Sequence, residues 1–155
     1  MDIPLQRVEE FLHQRIPLSK AMNCQVIECT NHGIVIRTPK FANTVEGDSL
    51  FSGSIISLSS MAAWTLLQVT LRQLEYVPEV AMTKSKWVRN EHPDLDSDGM
   101  AARCSLPEDK VWQQFLRMLS RKGNAHTTLT VETTGSLNNI GTLTCEFEAR
   151  DLDQR

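Results

Sequence analysis

One stretch of the chain gathers groups that could do chemistry on a carbonyl. Asn43-Thr44-Val45-Glu46-Gly47-Asp48-Ser49-Leu50-Phe51-Ser52-Gly53-Ser54 holds two carboxylates, an amide and several small residues, and it opens onto a long uncharged run. A helix starting here leaves its first backbone N–H groups unpaired and carries partial positive charge at that end. Ser52 and Gly53 let a ligand come close to this backbone, so that donors at Ser52, Gly53 and Ser54 suit a developing oxyanion. Glu46 or Asp48, just upstream, is placed to act as general base toward a water. Helix capping explains Asp48 and Ser49 equally well, and tight helix–sheet packing is an equal account of Gly53.

Other reactive residue types are scattered. No histidine lies between Asn43 and Ser54; His13, His32, His92 and His126 fall at ordinary helix, turn, connector and strand positions. No cluster has metal-ligand spacing. Ser54, Ser57, Ser59 and Ser60 have no acid and histidine pattern beside them and read as packing residues. Cys24, Cys29, Cys104 and Cys145 form no CxxC pair and read as small buried hydrophobes of a reducing compartment. Lys84, Lys86 and Arg89 punctuate one strand-like segment, with Lys84 and Lys86 on one face by alternation.

The elements that must position these residues follow from pattern. The chain has 155 residues, 41% hydrophobic and 23% charged, with a net charge of -3. That composition fits one domain, 1–155, with one core, and disfavours a nucleic-acid binder. The N-terminal stretch has no apolar core of a secretory signal, so the expected location is the cytoplasm. Ser49 to Leu71 is 23 residues without a charge, long enough to span a bilayer. Ten of those are Ser, Thr, Gln or Gly, so the run reads as a helix buried inside the fold, over about 49–74, not a membrane span. Apolar spacing predicts a first helix over about 3–15, started by Asp2 and Pro4 and ended by Pro17. A hairpin over 24–38 turns at Asn31-His32-Gly33; 39–48 reads as loop. Strands follow over 80–88 and 100–106. A helix over 106–123 has Pro107 at its start, Gly123 as its cap, and Val111, Phe115, Met118 and Leu119 as its buried stripe. Alternating strands fill about 125–149, with a turn at Gly135 to Asn139. The order predicts an α+β fold: a curved antiparallel sheet of about six strands wrapped around one long helix, the hotdog architecture.

The 43–54 segment leading into Ile55-Ile56-Ser57-Leu58 resembles the helix-start motif of the YiiD-type thioesterase family within the hotdog superfamily, which also occurs as a C-terminal domain behind an N-acetyltransferase domain. Ile16-Pro17-Leu18-Ser19, Ala102-Arg103-Cys104-Ser105-Leu106-Pro107 and the block from Phe115 to Gly123 are similar too, so the resemblance runs from about Leu12 to Ala149. It implies an acyl-thioester hydrolase acting on acyl-coenzyme A or acyl-carrier protein. It needs no cofactor beyond the coenzyme A of its substrate, and it works as a homodimer or dimer of dimers joined edge to edge with pockets between subunits. Glu46 and Asp48 are then the catalytic candidates. Asn43, Ser49, Phe51, Ser52, Gly53, Ser54, Lys84, Lys86 and Arg89 are the substrate-binding ones, the basic strand residues facing phosphates. One departure matters. Many hotdog thioesterases carry an acid about two turns into the central helix; here that region is Ser57-Leu58-Ser59-Ser60. A non-catalytic acyl-thioester binding module is therefore the alternative, and a hydratase a weaker one.

Overall fold

The structure, a computed structural model, describes residues 3–46 and 48–154. Asp2 and Gly47 of the sequence motifs lie outside the described residues. Helix α1 spans Leu5–Arg15 and buries Val8 and Leu12, while Leu5 stays exposed. Pro17 excludes the residue before it from helical geometry. Ile16 accordingly is extended, and a second short helix the sequence did not signal, α2 (Pro17–Ala21), begins with the proline at its first position. Strands β1 (Gln25–Cys29) and β2 (Gly33–Pro39) follow. Their turn is held by Thr30 Oγ1, which accepts the N–H groups of His32 and Gly33. The segment expected as loop forms a small hairpin, β3 (Thr44–Val45) and β4 (Ser49–Leu50). The central helix α3 is Ser52–Gln73, starting three residues later than expected. Then come β5 (Pro78–Arg89), β6 (Gly99–Ser105), α4 (Asp109–Lys122), β7 (Asn124–Thr134) and β8 (Asn139–Asp151).

Six strands form one antiparallel sheet in the order β1-β2-β6-β7-β8-β5. Helix α3 lies across its inner face, against β2, β6, β7, β8 and β5. This is the hotdog fold. Leu58, Leu66, Leu67 and Leu71 are fully buried, and Trp64 is half-buried, its Nε1–H donating to the Val80 carbonyl at 3.3 Å. The helix is long and apolar enough to cross a membrane by composition, but those apolar side chains are spent on the sheet. The one hydroxyl pair in this contact is satisfied: Ser59 Oγ donates to the Ile55 carbonyl and lies 2.7 Å from Thr133 Oγ1.

Helix α4 corrects one expectation. Its buried residues are Trp112, Phe115 and Leu119, whereas Val111 and Met118 are 41% and 42% exposed. Spacings of three and four put Trp112, Phe115 and Leu119 on one stripe; Val111 and Met118, seven apart, share a flank outside it. Trp112 stacks on Phe115 along the same helix with centroids 5.1 Å apart, and both rings are buried. Gly123 ends the helix at φ 76°, a conformation that a Cβ would strain.

The cysteines pack as hydrophobes. Burial pushes the Cys104 thiol up to about 12, and the Cys24 and Cys145 thiols to about 11. Because these folded values lie above the unfolded ones, the stability the thiols contribute is complete below the ordinary thiol range. It is lost as pH rises through 11 to 12. Iodoacetamide at pH 8 should label the half-buried Cys29 first and reach the other three only on unfolding, as mass spectrometry of labelled peptides would read. Leu67→Ala should cost about 2–5 kcal/mol in urea unfolding, the loss typical of a buried leucine.

Candidate active site at the start of the central helix

The start of α3 is set by one buried amide. Asn43 is 1% exposed. Its Nδ2 faces the Met22 carbonyl at 3.1 Å, Thr38 Oγ1 at 3.1 Å, the Pro39 carbonyl at 2.9 Å and the Phe41 carbonyl at 3.3 Å. Thr38 Oγ1 itself donates to the Met22 carbonyl. The backbone carbonyl of Asn43 then accepts the N–H of Phe51 at 2.8 Å, and Phe51 is the residue from which α3 departs. The side-chain donors of Asn43 are thus committed inside the protein, between the end of β2 and the loop after α2. Its Oδ1 is buried without a partner among the described residues.

Ser49 does not cap the helix. It pairs with Val45 in the β3–β4 hairpin, while Leu50 N–H binds the Leu95 carbonyl at 2.8 Å. Phe51 takes the cap position with no side-chain bond to the first turn. The first helical hydrogen bond at this end is Ile55 N–H to the Phe51 carbonyl. The N–H groups of Ser52, Gly53 and Ser54 have no acceptor among the described residues. Ser52 is exposed, and Gly53 and Ser54 are half-buried. A Cβ at Gly53 would strike Cε2 of the Phe51 ring and stand 2.8 Å from Cζ, so a larger residue there has to push that ring aside. The ring, 47% exposed, lies over the first turn.

Glu46 and Asp48 stand exposed on the turn of the hairpin, Glu46 at φ 54°. They precede the helix start by six and four residues and are open to solvent. The basic strand residues do not converge. A bulge between Met82 and Lys84 shifts the β5 register, so that Met82 opposes Phe147 while Lys84 and Lys86 oppose Glu146 and Thr144. Phe147, Cys145 and Leu143 are buried on the inner face. Lys84 and Lys86 therefore sit on the outer face, and Arg89 shares the inner side with Ser85 and Trp87.

Sequence reading missed the groove beside this helix start. A cavity of about 300 Å³ lies between α2, α3 and β5, with Leu18, Ile56, Ser60, Trp64, Met82 and Phe147 in its wall. Ile56, Ser60 and Trp64 recur every four residues on one side of α3, which was the available signal. Among the described residues no group of His, Cys, Asp and Glu could hold a metal ion.

The fold is shared with known proteins. The chain matches the family model YiiD_C, described as "Putative thioesterase (yiiD_Cterm)", over residues 5–150. A protein of unknown function from Chlorobaculum tepidum superposes with a TM-score of 0.84 at 14% identity, covering 94% of this chain and 93% of its own. A "putative thioesterase" from Shewanella oneidensis gives 0.80 at 15% identity, covering 94% and 96%. A thioesterase from Haemophilus influenzae gives 0.74 at 9% identity, covering 100% and 96%. At such identities the likeness speaks for the fold, while the family match spans nearly the whole chain. With the helix start and hotdog fold described above, the chain belongs to the YiiD_C thioesterase family.

Proposed function

We propose that the protein hydrolyses acyl thioesters carried by coenzyme A or by an acyl-carrier protein. The observation that carries this reading is the pairing of a free-ended 22-residue helix with an apolar groove along its first turns. A thioester carbonyl at the Ser52, Gly53 and Ser54 amides would meet preorganised donors and the positive end of the helix. The acyl chain would lie along Ile56, Ser60 and Met82. Ser49 and Phe51 would frame the opening, and Asn43 would act by holding the backbone that presents the donors. Attack on the carbonyl carbon by water needs a base, and Glu46 and Asp48 are the carboxylates nearest in sequence. Hydrolysis breaks the carbon–sulfur bond and releases a carboxylic acid and a thiol, with no added cofactor.

The two acids stand in solvent, so a working site needs something to cover them. Strand β5 is the sheet edge, 12 residues long, and residues 81–86 are exposed on both of its faces. Unpaired edges of that length invite a second strand. A homodimer, or a dimer of dimers, joined through this edge would close the groove and bring Arg89, on the inner side of β5, toward the helix start of the other subunit, with Lys84 and Lys86 on the outer face. Sedimentation at micromolar concentration should give two or four times the 17.5 kDa chain mass; a monomer alone would remove the shared site. We place the protein in the cytoplasm.

The alternative, an acyl-thioester binding module without turnover, is favoured by the serines where an acid stands in other hotdog enzymes, Ser57, Ser59 and Ser60. A panel of acyl-coenzyme A substrates with a free-thiol readout, run beside thermal-shift binding, separates the two. Turnover supports hydrolysis, and stabilisation without turnover supports binding alone. If turnover is found, either Glu46→Gln or Asp48→Asn should lose roughly 100-fold to 10,000-fold in rate, the usual worth of a general base. Both retaining full activity would place the base elsewhere. Gly53→Val should displace the Phe51 ring and abolish productive binding.

A further inference from the structure

Two cavities lie along the seam between the N-terminal helices and α3. The groove of about 300 Å³ beside the helix start takes its α3 wall from Ile56, Ser57, Ser60, Met61 and Trp64. A second cavity, of about 380 Å³, lies farther along the same helix and is lined by Ile3, Val8, Phe11 and Val69, with Arg7 and Arg72. Trp64 lines the first and not the second; Phe11 lines the second and not the first. These two rings stack on each other with centroids 6.0 Å apart and planes 14° from parallel. The Phe11–Trp64 pair is therefore the partition between the two spaces.

The partition is held on both sides. On one, the Trp64 Nε1–H donates to the Val80 carbonyl at 3.3 Å. On the other, the guanidinium carbons of Arg15 and Arg72 lie 5.1 Å and 5.2 Å from the Phe11 ring centroid, and Arg72 Nε donates to Gln68 Oε1 at 3.0 Å. Turning the indole would break its hydrogen bond and unstack the rings. The groove it closes is apolar in effect. Ser60 Oγ donates to the Ile56 carbonyl at 2.8 Å, so that hydroxyl is spent within the helix, and the indole N–H is spent on β5. Past Ser57 the wall offers a ligand no unpaired side-chain donor among the described residues. An alkyl chain loses nothing by lying there, whereas a polar tail would give up its water without return.

Two measures give the length of chain that fits. From Ser54, the last free donor, to Trp64 is about 15 Å at the rise of an α-helix. Helical side chains lean toward the N-terminus, which brings the indole back to about 13 Å. An extended chain advances about 1.2 Å per bond, a third of a fully extended peptide residue, so that span takes about eleven bonds. By volume, a water-sized group occupies about 30 Å³ and a methylene is of that size, so the groove holds about ten. We infer that the groove measures the acyl chain, taking unsubstituted chains of about ten carbons with Trp64 as the residue that ends it, an inference that rests on the thioesterase reading above. A longer chain has to part the two rings before it reaches the second cavity.

Initial rates across a series of acyl-coenzyme A thioesters, from butyryl to palmitoyl, test this on the wild-type chain and on Trp64→Ala and Ser60→Leu. In the wild type kcat/KM should rise by up to about fourfold per methylene, peak between octanoyl and dodecanoyl, and fall at palmitoyl. Trp64→Ala joins the two cavities, and palmitoyl should overtake decanoyl. Ser60→Leu fills the middle of the groove without touching the partition. It should lower the decanoyl-to-butyryl ratio of kcat/KM by about tenfold or more, the worth of one misfitting methylene in an apolar pocket. Ser60 is half-buried, so its variant carries the test if Trp64→Ala fails to fold. A wild-type profile that is flat, or that still rises at palmitoyl, would overturn the inference, as would an unmoved chain-length preference in either folded variant. The same series read by calorimetric binding separates this inference from the activity. A medium-chain optimum in affinity with no thiol released keeps the measured groove and removes the hydrolysis. Hydrolysis indifferent to chain length keeps the activity and removes the measured groove, and neither binding nor turnover of any member removes both.

Discussion

An uncharged helix must be withdrawn from water on most of its circumference, and almost everything else in this chain follows from that demand. A flat sheet would cover one side only. Here α3 is met by strands β2, β6, β7, β8 and β5, and α1 closes part of what the sheet leaves open, with Phe11 on Trp64. The uncovered strip, Ile56, Ser57, Ser60 and Trp64, is where the groove lies. The same constraint that makes the core therefore leaves the opening along its edge.

The start of that helix depends on polar contacts of another kind. Asn43 joins the ends of β2 and of α2 to the N–H of Phe51. A buried amide committed in this way costs more to disturb than an exposed one, because its partners would be stranded. Reactive groups and positioning groups are thus separated in the chain. The donors of the first turn face outward, and the amide that fixes them faces inward.

Much of this was legible in the residues. The 23-residue uncharged run could only be a core or membrane helix, and the alternation of Thr127, Leu129, Val131 and Thr133 gave a strand face that is buried throughout. Gly123 closed α4 by backbone conformation alone, whereas Pro107, expected at the helix start, stands two residues before its first helical residue, Asp109. What escaped were features set by tertiary contact. Met82, Lys84 and Lys86 have the same parity, yet the extra residue of a bulge puts Met82 inside and the lysines outside. Asn43 has a type suited to ligand binding, and its donors are committed by the folding of the nearby Thr38, Pro39 and Phe41 around it together with the approach of Met22, 21 residues away in sequence. The arginines of α1 and α3 are far apart in the chain, so no local spacing announces that they meet around Phe11.

The strand order carries a kinetic consequence. Thr38 and Pro39 at the end of β2 pair with Met100 and Gly99 at the start of β6, and the hairpin, the central helix and all of β5 must be looped out before that ladder can close. Strand β5 meanwhile crosses to the opposite edge to join β8. Non-local pairing of this kind pays its loop entropy before its contacts form, which places such topologies toward refolding times of roughly milliseconds to seconds. The hairpin of β7 and β8 with α4 beside it is the unit of most local pairing, and α3, packed on both of these strands and on β2, β5 and β6, has its full cover only once the non-local ladders have closed.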